Sequence, residues 1–343
     1  MKSFASDNYS GIHPDILQAI FDANQAHETS YGDDAYTIRA KELFISLLGE
    51  KTDVLFTFNG TGANVVALKT MLLPFQSVLC ADTAHIYVDE CGAVGQNCGA
   101  GLVSFHTQDG KLTPKIIENE LRHKGNVHHL QPKVVSISQS TELGTVYTLE
   151  ELKSLTCFAH KNDMYVHVDG ARISNAVAFL GVSLEEATVN CGIDVMSFGG
   201  TKNGLMFGEA VLIFNENLKK NASFYQKQSM QLFSKNRFIA AQFIALLENN
   251  LWIKMAMHAN AMAKLLHSQL LEIPEVTVTQ KVESNAVFVI IPKHAIEPLR
   301  ETYRFYDWNA EIGELRWMCS FDTTEDDVNG FIKKLKSSLQ KKF

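Results

Sequence analysis

A chain of 343 residues, 46% of them hydrophobic, is long enough to outgrow one apolar core, so a large domain with a smaller one attached is expected. Charged residues make up 20% with both signs mixed, which excludes a disordered chain, and the net charge of −7 argues against a basic nucleic-acid-binding stripe. No stretch reaches the roughly 18 uninterrupted apolar residues of a membrane helix, no leader-like apolar run opens the chain, and six cysteines lie scattered without a CxxC pair, so a cytoplasmic protein with buried reduced thiols is expected.

Taken in chain order, seven apolar runs read as strands: 54–58, 77–81, 102–105, 133–139, 164–169, 194–198 and 210–214. Helical patterns separate them at 62–72, 114–124, 148–162 and 183–190. Continuous apolar strands alternating with helices predict an α/β fold with a mostly parallel sheet covered on both faces. Thr148 and Glu151 have capping-box spacing, and Thr113 before Pro114 reads as a helix cap with proline in the first turn. Residues 218–271 carry helical periodicity throughout and read as one long helix. After Pro274 the pattern changes to alternating strands at 276–282, 286–291 and 313–321 and a helix at 324–341. The expected division is an N-terminal segment at 1–14, a large domain at 15–250 and a small C-terminal α+β domain at 251–343.

Four segments carry candidate chemistry. In 193-IDVMSFGGTKNGL-205 a strand runs into two glycines and then Lys202, at the sheet edge where open α/β folds place ligands; alone, a lysine in a surface loop is the commoner case. In 163-DMYVHVDGARIS-174, Asp169 closes an apolar strand, where a carboxylate needs a cationic partner. That partner is either Arg172, as a structural pair, or the protonated ring nitrogen of pyridoxal phosphate. In 56-FTFNGTGANVVALKTM-71 a strand meets a helix through Gly60, Thr61 and Gly62, a phosphate-cradle geometry that matches neither a P-loop nor a dinucleotide fingerprint. In 80-CADTAHIYVDECGA-93, His85 and Glu90 follow another strand end; the spacing fits no zinc pattern, so no metal is expected, and a histidine lying on a flat cofactor and moving protons is the better functional reading.

Asp33 in 31-YGDD-34, the NGTGAN turn, His85, DGAR at 169–172 and the SFGGTKNG lysine occur in the order found in pyridoxal-phosphate-dependent threonine aldolases. The chain resembles that family, including its aromatic amino acid beta-eliminating lyases, from 5-ASDN-8 to 313-GELRW-317. The resemblance implies an aspartate-aminotransferase-like transferase fold (fold type I) and pyridoxal 5'-phosphate as cofactor. It implies that Lys202 bonds the cofactor, Asp169 holds its ring nitrogen, Arg172 lies near the ring hydroxyl, His85 stacks on the ring, and Gly60 and Thr61 hold the phosphate. Arg237 would reach a phosphate across a subunit interface in a homodimer or homotetramer, Ser6 and Arg316 would hold the substrate carboxylate, and Glu90 would lie close to the substrate. The implied reaction is cleavage of L-threonine, L-allo-threonine or a related β-hydroxy amino acid to glycine and an aldehyde, with His85, Glu90 or a water as the base. Two departures from the family pattern, the absence of a histidine in 138-SQSTELGTVY-147 and the lysine loop TKNGLMFGEA, leave β-elimination from serine-, cysteine-like or aromatic amino acids as the rival. A catalytically silent binding or scaffold protein on the same fold is a third reading.

Overall fold

The computed structural model describes residues 2–340. Each of the seven apolar runs is a strand, displaced by no more than two residues at either end: β1 (Asp53–Thr57), β2 (Gln76–Ala81), β3 (Gly101–Phe105), β4 (Gln131–Ser138), β5 (Tyr165–Gly170), β6 (Val195–Gly199) and β7 (Glu209–Ile213). They form one sheet in the order β1-β7-β6-β5-β4-β2-β3. Strands β3, β2, β4, β5 and β6 run parallel, while β7 is antiparallel to both β6 and β1. Every residue of β6 and β7 is buried, as expected of strands covered on both faces.

Helices α1 (Pro14–Ala23) and α2 (Ala35–Leu48) precede the sheet and were not expected. Asp34 caps α2 by accepting from Thr37 N–H at 2.8 Å. Helix α3 (Gly60–Met71) follows β1; α4 (His85–Val88) and α5 (Ala93–Cys98) follow β2; α6 (Pro114–Ile117) is a single turn continued by a 3-10 segment at Glu118–His123 rather than the full helix expected at 114–124. Thr113 stands at its cap position without a side-chain bond. The Thr148–Glu151 capping box does form, and opens α7 (Leu149–Lys161). Next come α8 (Ile173–Leu180) and α9 (Leu184–Ala187), the second short because a 3-10 turn replaces it at Val189–Cys191.

The single long helix expected at 218–271 is three: α10 (Ala222–Gln228), α11 (Arg237–Leu247) and α12 (Leu251–Leu270). Asn249 and Asn250 take left-handed backbone with φ of 55° and 57°, a conformation asparagine tolerates and one that turns the chain between α11 and α12. Apolar periodicity continues across that corner because both helices pack on the same core.

Helix α12 joins two cores. Trp252 and Met255 enter the one beneath the seven-stranded sheet, and Met262, Leu266 and Leu270 enter the one beneath a second sheet. That second sheet is antiparallel, with β8 (Thr277–Val278), β9 (Ala286–Ile290), β10 (Tyr306–Asn309) and β11 (Glu314–Met318) in the order β10-β11-β9-β8. The strand expected at 276–282 shrinks to the two residues of β8, an edge strand with no buried residue. Helix α13 (Lys293–Arg300) and strand β10 were not foreseen; α14 (Glu325–Gln340) was, though residue 341 of the expected span lies outside the described residues. The N-terminal residues also dock here: Phe4 N–H donates to Arg304 O, and Met318 N–H to Phe4 O, both at 2.8 Å.

Four cysteines are buried, but Cys91 and Cys157 are exposed, contrary to the expectation for all six. Cys91 sits in the turn between α4 and α5 with φ 51°, and Cys157 lies on the outer face of α7, so neither has a core to enter.

Candidate active site

The C-terminal edges of the parallel strands converge on one cleft, the place where a sheet of this kind holds ligands. Gly60, His85, Glu90, Asp169, Arg172 and Lys202 all line it. Asp169 ends β5, and Lys202 lies on the 3-10 turn Thr201–Asn203 that follows β6. Glycines allow these two strand ends to close up. A Cβ on Gly199 would run into the Ala171 carbonyl, and one on Gly170 would stand 2.6 Å from Ser197 O.

Lys202 is half-buried, and its desolvation, helped by the charge of Arg172, pulls its pKa below the ordinary lysine value. The carboxylates of Asp7, Asp169 and Glu209 oppose that pull without cancelling it. Burial alone would raise Asp169, but the charge of Lys202 and the hydrogen bonds from Asn64 and the Ala171 N–H outweigh it and hold the carboxyl below its usual range.

Asn64, unassigned in the sequence reading, is the centre of the polar network. Its amide nitrogen donates to Glu90 Oε1 at 2.8 Å and to Asp169 Oδ2 at 2.9 Å, while its oxygen accepts from Ser197 Oγ at 2.8 Å. Two carboxylates on one side and a hydroxyl donor on the other leave the amide a single workable orientation. Glu90 Oε1 also meets His85 Nδ1 at 2.9 Å, and that bond, against the opposing effect of burial, raises the imidazole pKa. The Glu90 side chain is fully buried behind His85, with Oε2 lacking a partner among the described residues. The donor atoms of His85, Glu90 and Asp169 lie within 4.8 Å of one another, but the Asn64 NH₂ donates into the two carboxylates, where a cation would have to compete with it. Behind Asp169, burial pushes His167 down to about 4, so it is a neutral partner for Ser136 at 2.9 Å.

The sequence offered an Asp169–Arg172 pair as one alternative; the structure replaces it. Arg172 forks instead onto Asp7, with Nε to Oδ2 at 2.7 Å and Nη2 to Oδ1 at 2.9 Å, and Asn285 supports the same carboxylate at 3.1 Å. Asp7 therefore pins the N-terminal segment against the large sheet's edge and leaves Asp169 without an arginine.

Thr61 adjoins Gly60 in the first turn of α3, where Asn59 caps Gly62 N–H at 2.8 Å. At Gly60 itself a Cβ would meet nothing within 4 Å among the described residues, whereas one on Gly62 would run into the Gln231 side chain. Arg316, on β11, lies 5.4 Å from the Tyr306 ring centre and 5.0 Å from that of Trp308, with Nη2 reaching Ala5 O at 3.3 Å and Nε buried without a partner. Burial and the nearby Arg172 push its pKa down to about 10. Ser6 caps the turn Asp7–Tyr9, accepting from Asn8 N–H at 3.2 Å. Arg237 opens α11 outside the cleft, where it donates to Gln25 O and Ala26 O at 3.1 and 3.3 Å. Asp33 is likewise outside it.

Glu142, Ser138 and Ser140 also line the cleft, on the segment after β4. They belong to the stretch 138-SQSTELGTVY-147, which the sequence marked only as a departure from the family pattern, with no role for any one residue. A second sequence signal was a carboxylate just past an apolar strand end, the same signal that marked Asp169.

Glu209, behind the lysine turn, accepts from Gly200 N–H at 2.6 Å, and burial pushes it up to about 7. A carboxyl raised in this way is protonated in the fold at pH values where the unfolded chain has ionised it. Its contribution to stability therefore declines as pH rises from about 4.5 to about 7 and is constant above that. Glu209→Gln keeps an acceptor for Gly200, and its thermal midpoint is expected to fall less than the wild type's over that interval in a pH series.

The beta-eliminating lyase family model matches residues 3–293. A low specificity L-threonine aldolase of Pseudomonas aeruginosa is 42% identical over 98% of this chain and 97% of its own, and one from another Pseudomonas strain is 44% identical over 95% of each. A solved threonine aldolase of Leishmania major superposes with a TM-score of 0.93 at 31% identity, covering 99% of this chain and all of that one. With a family match over most of its length and relatives this similar from end to end, the chain belongs to the beta-eliminating lyase family, beside the threonine aldolases.

Proposed function

We propose that this protein is a pyridoxal-phosphate-dependent lyase that cleaves L-threonine, L-allo-threonine or a related β-hydroxy amino acid to glycine and an aldehyde. The observation that carries the reading is a half-buried lysine of lowered pKa facing a buried, ionised aspartate at the sheet edge, in a chain 42–44% identical to low specificity L-threonine aldolases.

The residues present fit the cofactor. Lys202 supplies an amine easily freed of its proton, which is the form that bonds an aldehyde carbon. Asp169 would keep the ring nitrogen protonated, and Arg172, already anchored by Asp7, would lie beside the ring hydroxyl. His85, held by Glu90, would cover a ring face. The N-terminus of α3 at Gly60 and Thr61, with space beside Gly60, would take the phosphate, completed by Arg237 from a second copy of the chain in a homodimer or homotetramer. Bound there, pyridoxal phosphate supplies an electron sink for the pair released from the substrate's Cα–Cβ bond.

The chain's own work is to orient and to hold charge. Arg316, with an unpartnered Nε and aromatic rings over its guanidinium, takes the substrate carboxylate in a fork, and Ser6 adds a hydroxyl. A fixed carboxylate turns the scissile bond out of the ring plane, and Asp169, backed by Asn64, stabilises the positive charge at the ring nitrogen throughout. Among the described residues no helix is long and apolar enough to cross a membrane, and we place this activity in the cytoplasm.

A product assay on the holoenzyme with threonine, allo-threonine, phenylserine and serine tests the reading. Glycine and an aldehyde are expected. Pyruvate and ammonia from serine would favour β-elimination, and a protein that stays colourless with added pyridoxal phosphate and gives no borohydride-trapped adduct would mean a silent scaffold.

A further inference from the structure

The reaction needs a group to take the proton from the substrate's β-hydroxyl, and the geometry narrows the choice. Glu90 is poorly placed: its side chain is fully buried and its Oε1 already receives Asn64 at 2.8 Å and His85 at 2.9 Å. His85 Nδ1 is tied to that same carboxylate, a bond that favours the protonated imidazole, and in the reading above its ring covers the cofactor. Lys202 is committed to the cofactor.

Glu142 also has one oxygen engaged, but unlike Glu90 it is not fully buried. It lines the same cleft, half-buried, on the segment that follows β4. One oxygen, Oε1, is fixed to the cleft wall by the His85 backbone N–H at 2.9 Å and by Ser138 Oγ at 2.6 Å. Both bonds grip a single oxygen and so set the direction of the carboxyl group. Two residues earlier, Ser140 Oγ is buried, lines the cleft and has no hydrogen-bond partner among the described residues. A buried hydroxyl left without a partner is costly, and a ligand oxygen would satisfy it.

We propose that Glu142 and Ser140 form the subsite for the substrate's β-oxygen, with Glu142 the catalytic base of the cleavage. The proposal rests on the retro-aldol reading above. The β-hydroxyl O–H breaks and its proton passes to the Glu142 carboxylate. The oxygen's electron pair forms the aldehyde C=O as the Cα–Cβ bond breaks, with that pair leaving toward Cα and the cofactor. Cα then takes up one proton, which balances the one held on Glu142, and glycine leaves. Ser140 donates to the β-oxygen and fixes it within reach of the carboxylate. Burial and the charge of Asp169 raise the Glu142 pKa, which makes its carboxylate a stronger base than an exposed one.

The test compares two readouts in the holoenzyme of Glu142→Gln, whose amide oxygen can still accept from His85 and Ser138. Threonine cleavage is expected to fall by about 10²–10⁴-fold, the usual range for a lost general base. Glycine, which has no β-hydroxyl, should still change the cofactor's absorbance, with a dissociation constant within about 3-fold of the wild type's, a difference of under 1 kcal/mol. Ser140→Ala should raise KM for threonine and leave glycine binding unchanged. Wild-type-like cleavage by Glu142→Gln would overturn the assignment. So would a loss of glycine binding as large as the loss of cleavage, which would mark Glu142 as structural. If the wild type itself released no aldehyde from threonine, the retro-aldol reading would fail first, and this inference with it.

Discussion

Lys202→Ala is expected to lower threonine cleavage by at least about 10³-fold, because among the described residues no other lysine lines the cleft. The effect on the fold runs the other way. A lysine whose pKa is lowered by burial is disfavoured in its charged form, so the folded chain bears a cost that grows as pH falls below the ordinary lysine range. Removing it should leave the apo protein's thermal midpoint at neutral pH unchanged or slightly higher. The measurement pairs steady-state aldehyde release with thermal unfolding of the apo protein, and adds borohydride reduction, which should no longer fix the cofactor to the chain. A variant with near-normal turnover would show that the lysine is wrongly assigned.

Asp169→Asn is the second large effect, about 10²–10³-fold in rate, the scale seen when one preorganised electrostatic contact to developing charge is lost. Similar size suggests a harmless swap, but the surroundings oppose it. Asp169 accepts on both oxygens, from Ala171 N–H at 3.0 Å and from Asn64 at 2.9 Å, so an amide must turn its NH₂ toward one of two donors. The cost in stability is about 1–3 kcal/mol, the penalty of an unsatisfied buried polar group. Because the Asp169 pKa lies below the ordinary value, its stabilisation is present above the unfolded-state pKa and is lost as pH falls through the folded one. The gap between wild type and variant should therefore narrow in acid, as read from urea midpoints across pH. Equal rates would assign the ring nitrogen another partner.

The residues legible in the sequence share one property: each stands at a strand end or helix start that apolar periodicity already marks. Lys202 after β6, Asp169 at the end of β5, Gly60 and Thr61 at the start of α3 and His85 after β2 are of this kind. Asn64, although inside the quoted NGTGAN turn, gained no role, because its partners Glu90 and Asp169 lie 26 and 105 positions away. Asp7 was passed over for the same reason, and sequence proximity favoured Asp169 for Arg172. In the fold, Asp169 ends a strand and Arg172 caps the next helix, while a carboxylate 165 residues earlier reaches the guanidinium.

Periodicity determined the α/β architecture, since continuous apolar runs can be buried only inside a doubly covered sheet, and that rule needs no knowledge of partners. It did not determine where the 218–271 region bends, because two helices sharing a core keep one apolar rhythm across a corner. The tertiary structure decided which charges meet. An acidic chain of net charge −7 sets Lys202 and Arg172 at one cleft, with Arg316 near enough to feel the charge of Arg172, and offsets them with Asp7 and Asp169 from distant segments. Coulomb energy and hydrogen bonding depend on distances in space that only the packed sheet edge sets.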